Sequence, residues 1–100
     1  MYIMVFFDLS TKTATQRKIA NKFRNMLLDA GFFRMQLSIY IRACASEKTE
    51  SVVRKVKACL PEEGHVRLLQ VTEKQYARIE LLVGSKQKTE ECSSKQTILL

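Results

Sequence analysis

A continuous apolar run opens the chain, and a single charged residue interrupts it. Seven of the eight residues from Tyr2 to Leu9 are apolar or aromatic, and the exception is Asp8. Such a run is typical of a strand that is buried on both faces in the middle of a sheet. This strand would deliver Asp8 to the carboxyl edge of the sheet. Because an ionised carboxylate beside so much apolar surface is costly unless something compensates it, Asp8 needs a partner.

The next segment repeats its apolar residues every three or four positions, which predicts a helix. Thr13 and Gln16 fit a capping box at its start, and Gly31 fits the position just beyond its end. The stripe that would face the core consists of Ile19, Phe23, Met26, Leu27 and Ala30.

Alternating apolar and polar positions then predict one strand from Phe32 to Arg42. The apolar positions are Met35, Leu37, Ile39 and Ile41, and those between them are Arg34, Gln36, Ser38, Tyr40 and Arg42. The apolar set would form a buried face. The polar and partly basic set would either stay in water or meet a partner.

The second half of the chain predicts one more helix and two more strands. The helix would run from about Ser46, its N-cap, to Leu60. The strands would be His65–Val71 and Arg78–Val83, with Thr72–Tyr76 as a polar connection between them. The order of elements is therefore β-α-β-α-β-β.

This order predicts an α+β fold, a ferredoxin-like sandwich with two helices on one face of an antiparallel sheet. The domain would span residues 1–84 and leave the other sheet face for a partner. Residues 85–96 are predicted to form a polar linker. The apolar residues 97–100 would then dock as a short strand on a sheet edge, in their own subunit or in a neighbour's.

The charge balance indicates a polyanionic partner. The formal net charge is +7, and the sequence pI is about 9.6. Residues 1–42 hold seven of the 17 Lys and Arg residues and two of the ten acids, a net of +5. The basic excess therefore lies in the same half of the chain as Asp8, which favours nucleic acid as the partner.

The cysteine spacing and the hydropathy argue against three further features: a disulfide framework, a zinc site and a membrane anchor. The three cysteines are widely spaced and form no C-x-x-C pair, so neither a disulfide framework nor a zinc site is indicated. Reduced thiols in a cytoplasmic protein are the simpler interpretation. The apolar run at the start is too short to span a bilayer, so we expect no membrane anchor.

Four segments carry a family resemblance. They are Val5–Leu9, Lys22–Arg24, Gly31–Arg42 and Val71–Gln75. In this order and spacing they resemble the second CRISPR-associated protein family, the small dimeric subunit of the spacer-acquisition machinery. The resemblance covers residues 1 to about 83.

The resemblance implies a ferredoxin-like homodimer whose two sheets face each other, with Asp8 beside its twin across the twofold axis. It also implies a magnesium-dependent nuclease acting on RNA or DNA, which bridges dimers of the CRISPR integrase and helps to hold the DNA to be inserted. The closing strand of the family often crosses to the other subunit, which suits residues 97–100. The long polar linker before that strand departs from the family pattern.

The paired Asp8 carboxylates explain why a metal is expected. Two such groups close together would repel, so either one is protonated or a divalent cation lies between them. Mg²⁺ accepts one or two carboxylates together with water and phosphate oxygens, and Mn²⁺ is a possible substitute. Asp8 is therefore the candidate metal ligand and catalytic residue. The alternative is that Asp8 caps the loop through an Asx-type bond to a backbone N–H near Ser10 or Thr11.

Seven basic residues are candidates for nucleic-acid binding, because each neutralised phosphate adds to a salt-dependent affinity. They are Lys12, Arg17, Lys18, Lys22, Arg24, Arg34 and Arg42. The alternative for each one singly is solvated surface.

Three functions remain open at this point. The first is a spacer-acquisition scaffold that binds duplex DNA and the integrase without catalysis, and the second is a metal-dependent endonuclease. The third is a single-strand RNA-binding module, since RNA-recognition domains have a similar fold. That module needs a Gly-aromatic motif on a central strand, which residues 64–71 do not provide.

Overall fold

The computed structural model describes residues 1–84, which form a four-stranded sheet with helices. The strands are β1 (Tyr2–Asp8), β2 (Phe33–Gln36), β3 (Ile39–Ala43) and β4 (His65–Val71). The helices are α1 (Ala14–Asp29), α2 (Thr49–Lys57) and α3 (Glu73–Ala77), and a 3₁₀ turn at Ser46–Lys48 precedes α2. The predicted linker at 85–96 and the predicted docking strand at 97–100 lie outside the described residues. None of the helices within residues 1–84 is long and apolar enough to cross a bilayer.

The sheet confirms the predicted fold class. Its strand order is β2-β3-β1-β4, and every neighbouring pair is antiparallel. The core lies on one face of this sheet, where alternate residues of β1 meet the buried stripes of α1 and α2. This cluster includes Ile3, Val5, Phe7, Phe23, Leu27, Val52 and Val56. We call this side the helix face and the opposite side the far face.

Helix α1 begins and ends as the sequence predicts, but Ile19 of its predicted core stripe is 46% exposed, and Ala20 is buried instead. The Thr13 hydroxyl accepts a hydrogen bond from the Gln16 backbone N–H (3.1 Å), and the Gln16 side chain accepts one from the Thr13 N–H (3.0 Å). The helix ends where Gly31 adopts a φ of 92°, which a residue with a Cβ adopts at a cost. The Arg42 guanidinium donates to the Ala30 carbonyl and so satisfies one of the acceptors that the helix end leaves free.

The single strand predicted for Phe32–Arg42 is wrong, because the segment forms the hairpin of β2 and β3 with a turn at residues 37 and 38. The assignment of its faces also changes. Tyr40 lies opposite Val5 and is buried on the helix face, whereas Ile41 lies opposite Met4 on the far face. Successive side chains of β3 do alternate between the two faces, as predicted. The ring of Tyr40, however, packs in the core beside Phe7, with ring centroids 5.5 Å apart.

The second helix is shorter than predicted. The segment begins as a 3₁₀ turn, and α2 starts only at Thr49, whose buried hydroxyl donates to the Ala45 carbonyl (3.4 Å). Ser46 is therefore not the N-cap. The helix ends at Lys57, before the chain bends toward β4, and Leu60 remains 48% exposed.

Two predictions for residues 72–83 are wrong, namely the polar connection at Thr72–Tyr76 and the strand at Arg78–Val83. The supposed polar connection is α3, which uses the Thr72 and Gln75 side chains as a second capping box. Its Tyr76 ring stacks on Tyr2, with centroids 4.0 Å apart. Residues 78–84 form no strand, because within the described chain no sheet strand pairs with their backbone. Their alternating apolar side chains stay exposed, up to 90% at Val83.

Candidate nucleic-acid-processing site

Asp8 is the last residue of β1, one of the two inner strands, and its side chain is exposed. Because residues two apart on a strand share a face, Asp8 lies on the far face together with Phe6. In β4, His65 is directly opposite Asp8, and Arg67 is directly opposite Phe6. The structure therefore brings one carboxylate, one imidazole and one guanidinium to the same corner of the sheet.

A shallow, solvent-open pocket of about 190 Å³ lies at this corner. Its lining residues are Phe6, Phe7, Asp8, Ser38, Ile39, His65 and Arg67. Ser38 comes from the turn between β2 and β3, and its carbonyl accepts a hydrogen bond from the Phe7 N–H (3.1 Å). Three separate segments thus converge on the end of β1.

The loop after Asp8 is organised by α1 and not by the carboxylate. The Gln16 side-chain oxygen accepts hydrogen bonds from the Ser10 hydroxyl and from the Lys12 and Thr13 backbone N–H groups, each at 3.0 Å. Arg17 donates to the Thr11 carbonyl at 3.1 Å. Among residues 1–84 the Asp8 carboxylate accepts no hydrogen bond, so the Asx-type alternative is not formed here. Asp8 is left with its acceptor capacity available to a ligand.

Three of the seven basic candidates present solvent-exposed ammonium groups on the α1 side of the molecule. Lys12 is in the loop before α1, and Lys18 and Lys22 are on the helix. No ion pair within the described part of the chain involves them. They remain candidates for contacts with phosphates.

The other four candidates are arginines held by the fold or separated from Asp8. Arg17 donates a hydrogen bond to the loop before α1, and Arg24 donates to the Asn21 side chain at 2.8 Å. Arg42 binds the end of α1. Arg34 lies opposite Tyr40 and Arg42 opposite Ile3, which places both on the helix face, away from Asp8. These two side chains do not join the Asp8 corner.

His65 and Arg67 were not among the predicted site residues. The sequence predicts the strand that starts at His65, but only the antiparallel pairing of this strand with β1 places the two residues near Asp8. In such a pair the start of one strand lies beside the end of the other. In the observed register His65 lies opposite Asp8, and Arg67 lies opposite Phe6.

The donor set fits Mg²⁺ only in part within one subunit. Among the described residues no three His, Cys, Asp or Glu side chains cluster together. Mg²⁺ does not require such a cage, because it commonly uses one or two carboxylates and takes its other ligands from water and phosphate. The Asp8 carboxylate, exposed and without a hydrogen bond to residues 1–84, supplies one such ligand.

Gly64 controls the position of the Asp8 corner, and Gly64→Ala is expected to disturb it. Its φ is +95°, and an added Cβ would lie 2.6 Å from Leu9 Cδ2 and 2.8 Å from the Asp8 carbonyl oxygen. We expect a loss of about 2 kcal/mol in the free energy of unfolding, measured by urea denaturation.

Gly31→Ala is the matched control, since its φ is +92° but its new Cβ would meet only side-chain atoms of Arg42, at 3.3 Å, and no backbone atom. Both variants carry similar backbone strain, so the excess loss in Gly64→Ala reports the collision with β1. Equal losses in the two variants would contradict the close packing of Gly64 on Asp8.

Sequence comparisons with a family model and with individual proteins point to the same family. Residues 1–79 match the family described as CRISPR associated protein Cas2. The chain is 48% identical over 87 residues to the CRISPR-associated endoribonuclease Cas2 of Flavobacterium psychrophilum, covering 86% of this chain and 76% of that protein. It is 39% identical to the protein of the same name from Ligilactobacillus salivarius, with 100% of both chains covered.

The fold agrees with that assignment. The crystal structure of Streptococcus pyogenes Cas2 at pH 6.5 is similar with a TM-score of 0.64, covering 83% of this chain and 100% of that chain at 20% identity. At that identity the likeness concerns the fold alone. The sequence matches, however, extend over most of the chain, and so this protein belongs to the CRISPR-associated Cas2 family.

Proposed function

We propose that this chain is a CRISPR-associated, magnesium-dependent endonuclease that acts as a homodimer through Asp8 of both subunits. The observation that carries the proposal is the position of Asp8, exposed at the end of the inner strand β1, where its carboxylate accepts no hydrogen bond from residues 1–84. The relatives named CRISPR-associated endoribonuclease Cas2 support a nuclease role and favour RNA as a substrate. DNA remains the second substrate class to test.

In this proposal the residues of the pocket bind and orient the nucleic acid. Asp8 and its twin in the partner subunit would hold Mg²⁺, with Mn²⁺ as a possible substitute. When bound, the ion supplies polarisation of the phosphate and a more acidic water as nucleophile. The Ser38 and Phe6 side chains shape the pocket next to the carboxylate, and Gln16 keeps the loop after Asp8 in place.

The far face supports self-association. Its apolar side chains include Phe33, 47% exposed, and Leu69, 49% exposed, and these lie opposite Ile41 and Met4 in the sheet. Large exposed apolar side chains on one sheet face are typical of an interface. A twofold contact through this face would bring two copies of Asp8 toward one seam.

Leu69→Asp is expected to weaken the dimer. A buried, unpaired carboxylate at the interface is costly, so we expect the dimer dissociation constant to rise at least about tenfold. Sedimentation velocity over a series of protein concentrations measures this change.

Leu28→Asp is the control, because Leu28 is also 49% exposed but lies on α1. It should leave the dissociation constant unchanged. If the two substitutions weaken self-association equally, or if the unmodified chain is monomeric at high concentration, the interface is not the far face.

A second candidate function is a scaffold for spacer acquisition that bridges integrase dimers and holds DNA. The net charge of +7 and the exposed ammonium groups of Lys12, Lys18 and Lys22 favour backbone contacts with a duplex. Here Asp8 would not be needed. Spacer acquisition by an Asp8 variant in cells separates this function from catalysis.

The nuclease proposal is tested directly with the purified chain. Labelled RNA and DNA are incubated with Mg²⁺, with Mn²⁺, or with EDTA at several pH values, and products are resolved on denaturing gels. Cleavage that requires the metal supports the proposal. Absence of cleavage under all metal conditions removes the enzyme function and leaves the scaffold.

A further inference from the structure

We propose that Arg67 of β4 is a phosphate-binding residue that holds the nucleic-acid backbone against the Asp8 pocket. The inference rests on the proposed function of Asp8 and extends it with a residue outside the basic N-terminal half of the chain. The expected ligand is a phosphodiester group of single-stranded nucleic acid. The structure contributes three independent observations.

The first observation is the sheet register. Arg67 is paired with Phe6, and Asp8 is paired with His65, so all four residues alternate onto the far face. Positions two apart on a strand are separated by roughly 7 Å. The guanidinium and the carboxylate therefore flank one pocket and can contact neighbouring parts of one ligand.

The second observation is that Arg67 has no protein acceptor within residues 1–84, and its side chain is exposed. Arg17, Arg24 and Arg42 all donate hydrogen bonds to acceptors within the fold. Arg67 also makes no ion pair with Asp8 in the described chain, although both line the same pocket. Within a single subunit its guanidinium is therefore available to bind a phosphate with two parallel hydrogen bonds at the seam where the two copies of Asp8 would meet.

The third observation is the mixture of groups in the pocket. A carboxylate alone would repel the phosphate that it has to approach, and a cation on the adjacent strand offsets that repulsion. The volume of about 190 Å³ equals that of roughly six water molecules, enough for a phosphate group. Phe6 and Ile39 provide an apolar wall for the attached sugar.

The experiment measures binding of fluorescein-labelled single-stranded RNA in EDTA, where metal-dependent cleavage does not interfere. Arg67→Gln is expected to weaken binding about tenfold, in line with the loss of a charge-assisted hydrogen bond. The slope of the logarithm of the RNA-binding constant against the logarithm of the salt concentration should also become shallower by about 0.7 per binding site. Arg67→Lys should retain part of the affinity.

Arg54→Gln is the matched control, because it removes the same charge from the exposed surface of α2, where Arg54 is within 3.6 Å of Glu50. It should bind RNA like the unmodified protein. If Arg67→Gln behaves like Arg54→Gln, the proposal is overturned. It is also overturned if sedimentation shows that Arg67→Gln has become monomeric, since Arg67 would then act through the interface.

The outcomes separate this inference from the proposed function. If the unmodified chain cleaves RNA but Arg67→Gln binds RNA with unchanged affinity, the nuclease proposal is supported and the proposed role of Arg67 is wrong. If the unmodified chain never cleaves but Arg67→Gln loses affinity as a dimer, the nuclease proposal falls and Arg67 remains a phosphate-binding residue.

Discussion

Asp8→Asn is expected to reduce metal-dependent cleavage by at least about 1,000-fold. The substitution replaces both carboxylates of the proposed site at once, and a metal ion contributes several kcal/mol of charge stabilisation to a phosphoryl transition state. Asparagine keeps the size of the side chain, and Asp8 is exposed and accepts no hydrogen bond among residues 1–84. The variant should therefore fold normally. Initial rates with Mg²⁺ on labelled RNA measure the effect.

Asp29→Asn is the control for this substitution. Asp29 is the other aspartate of the chain, is exposed at the end of α1 and does not line the Asp8 pocket. It should cleave at the unmodified rate. Retained cleavage in Asp8→Asn would show that Asp8 is not a required metal ligand. Loss of cleavage together with intact spacer acquisition in cells would assign the biological role to the scaffold.

Leu27→Ala is expected to lower the free energy of unfolding by about 3 kcal/mol. Leu27 is fully buried in the cluster that joins β1 to α1 and α2, so truncation removes apolar contacts and leaves a cavity. For a domain of this size the loss is a large fraction of the total stability. Urea denaturation at constant protein concentration measures it, because self-association would otherwise shift the midpoint.

Leu28→Ala provides an internal comparison with the same change at the next position. Leu28 is 49% exposed, and its truncation should cost less than about 1 kcal/mol. The contrast between two adjacent leucines reports which side of α1 packs on the sheet. Similar losses for both variants would mean that α1 does not dock as described.

In the first thirty residues, local sequence patterns predict the secondary structure correctly. The apolar run at β1, the capping box of Thr13 and Gln16, and the stop at Gly31 all rest on interactions between residues close in sequence, and the structure confirms each of them. The same local rule was available at Thr72 and Gln75. There the capping box marks the start of α3, in the segment that the polar composition predicted as a connection.

The candidate site depended on contacts between distant segments. Asp8 was identified from its place at the end of an apolar strand, and its role as a metal ligand stays a prediction. Arg34 and Arg42 were expected to face the same partner, but the register with β1 places them on the helix face. No motif near Arg67 in the chain marks it as a site residue, and only its pairing with Phe6 places it near Asp8.

The sequence by itself determined the fold class, the central position of β1, the limits of α1 and the presence of one acidic residue at the strand end. Hydrophobic periodicity and capping act over a few residues, and so they can be recognised in the chain alone. Only the tertiary structure decided which face Tyr40 and Ile41 occupy and that β4 brings His65 and Arg67 beside Asp8. The reason is that strand register is set by pairing between segments more than thirty residues apart, and a shift of one residue would exchange the two faces.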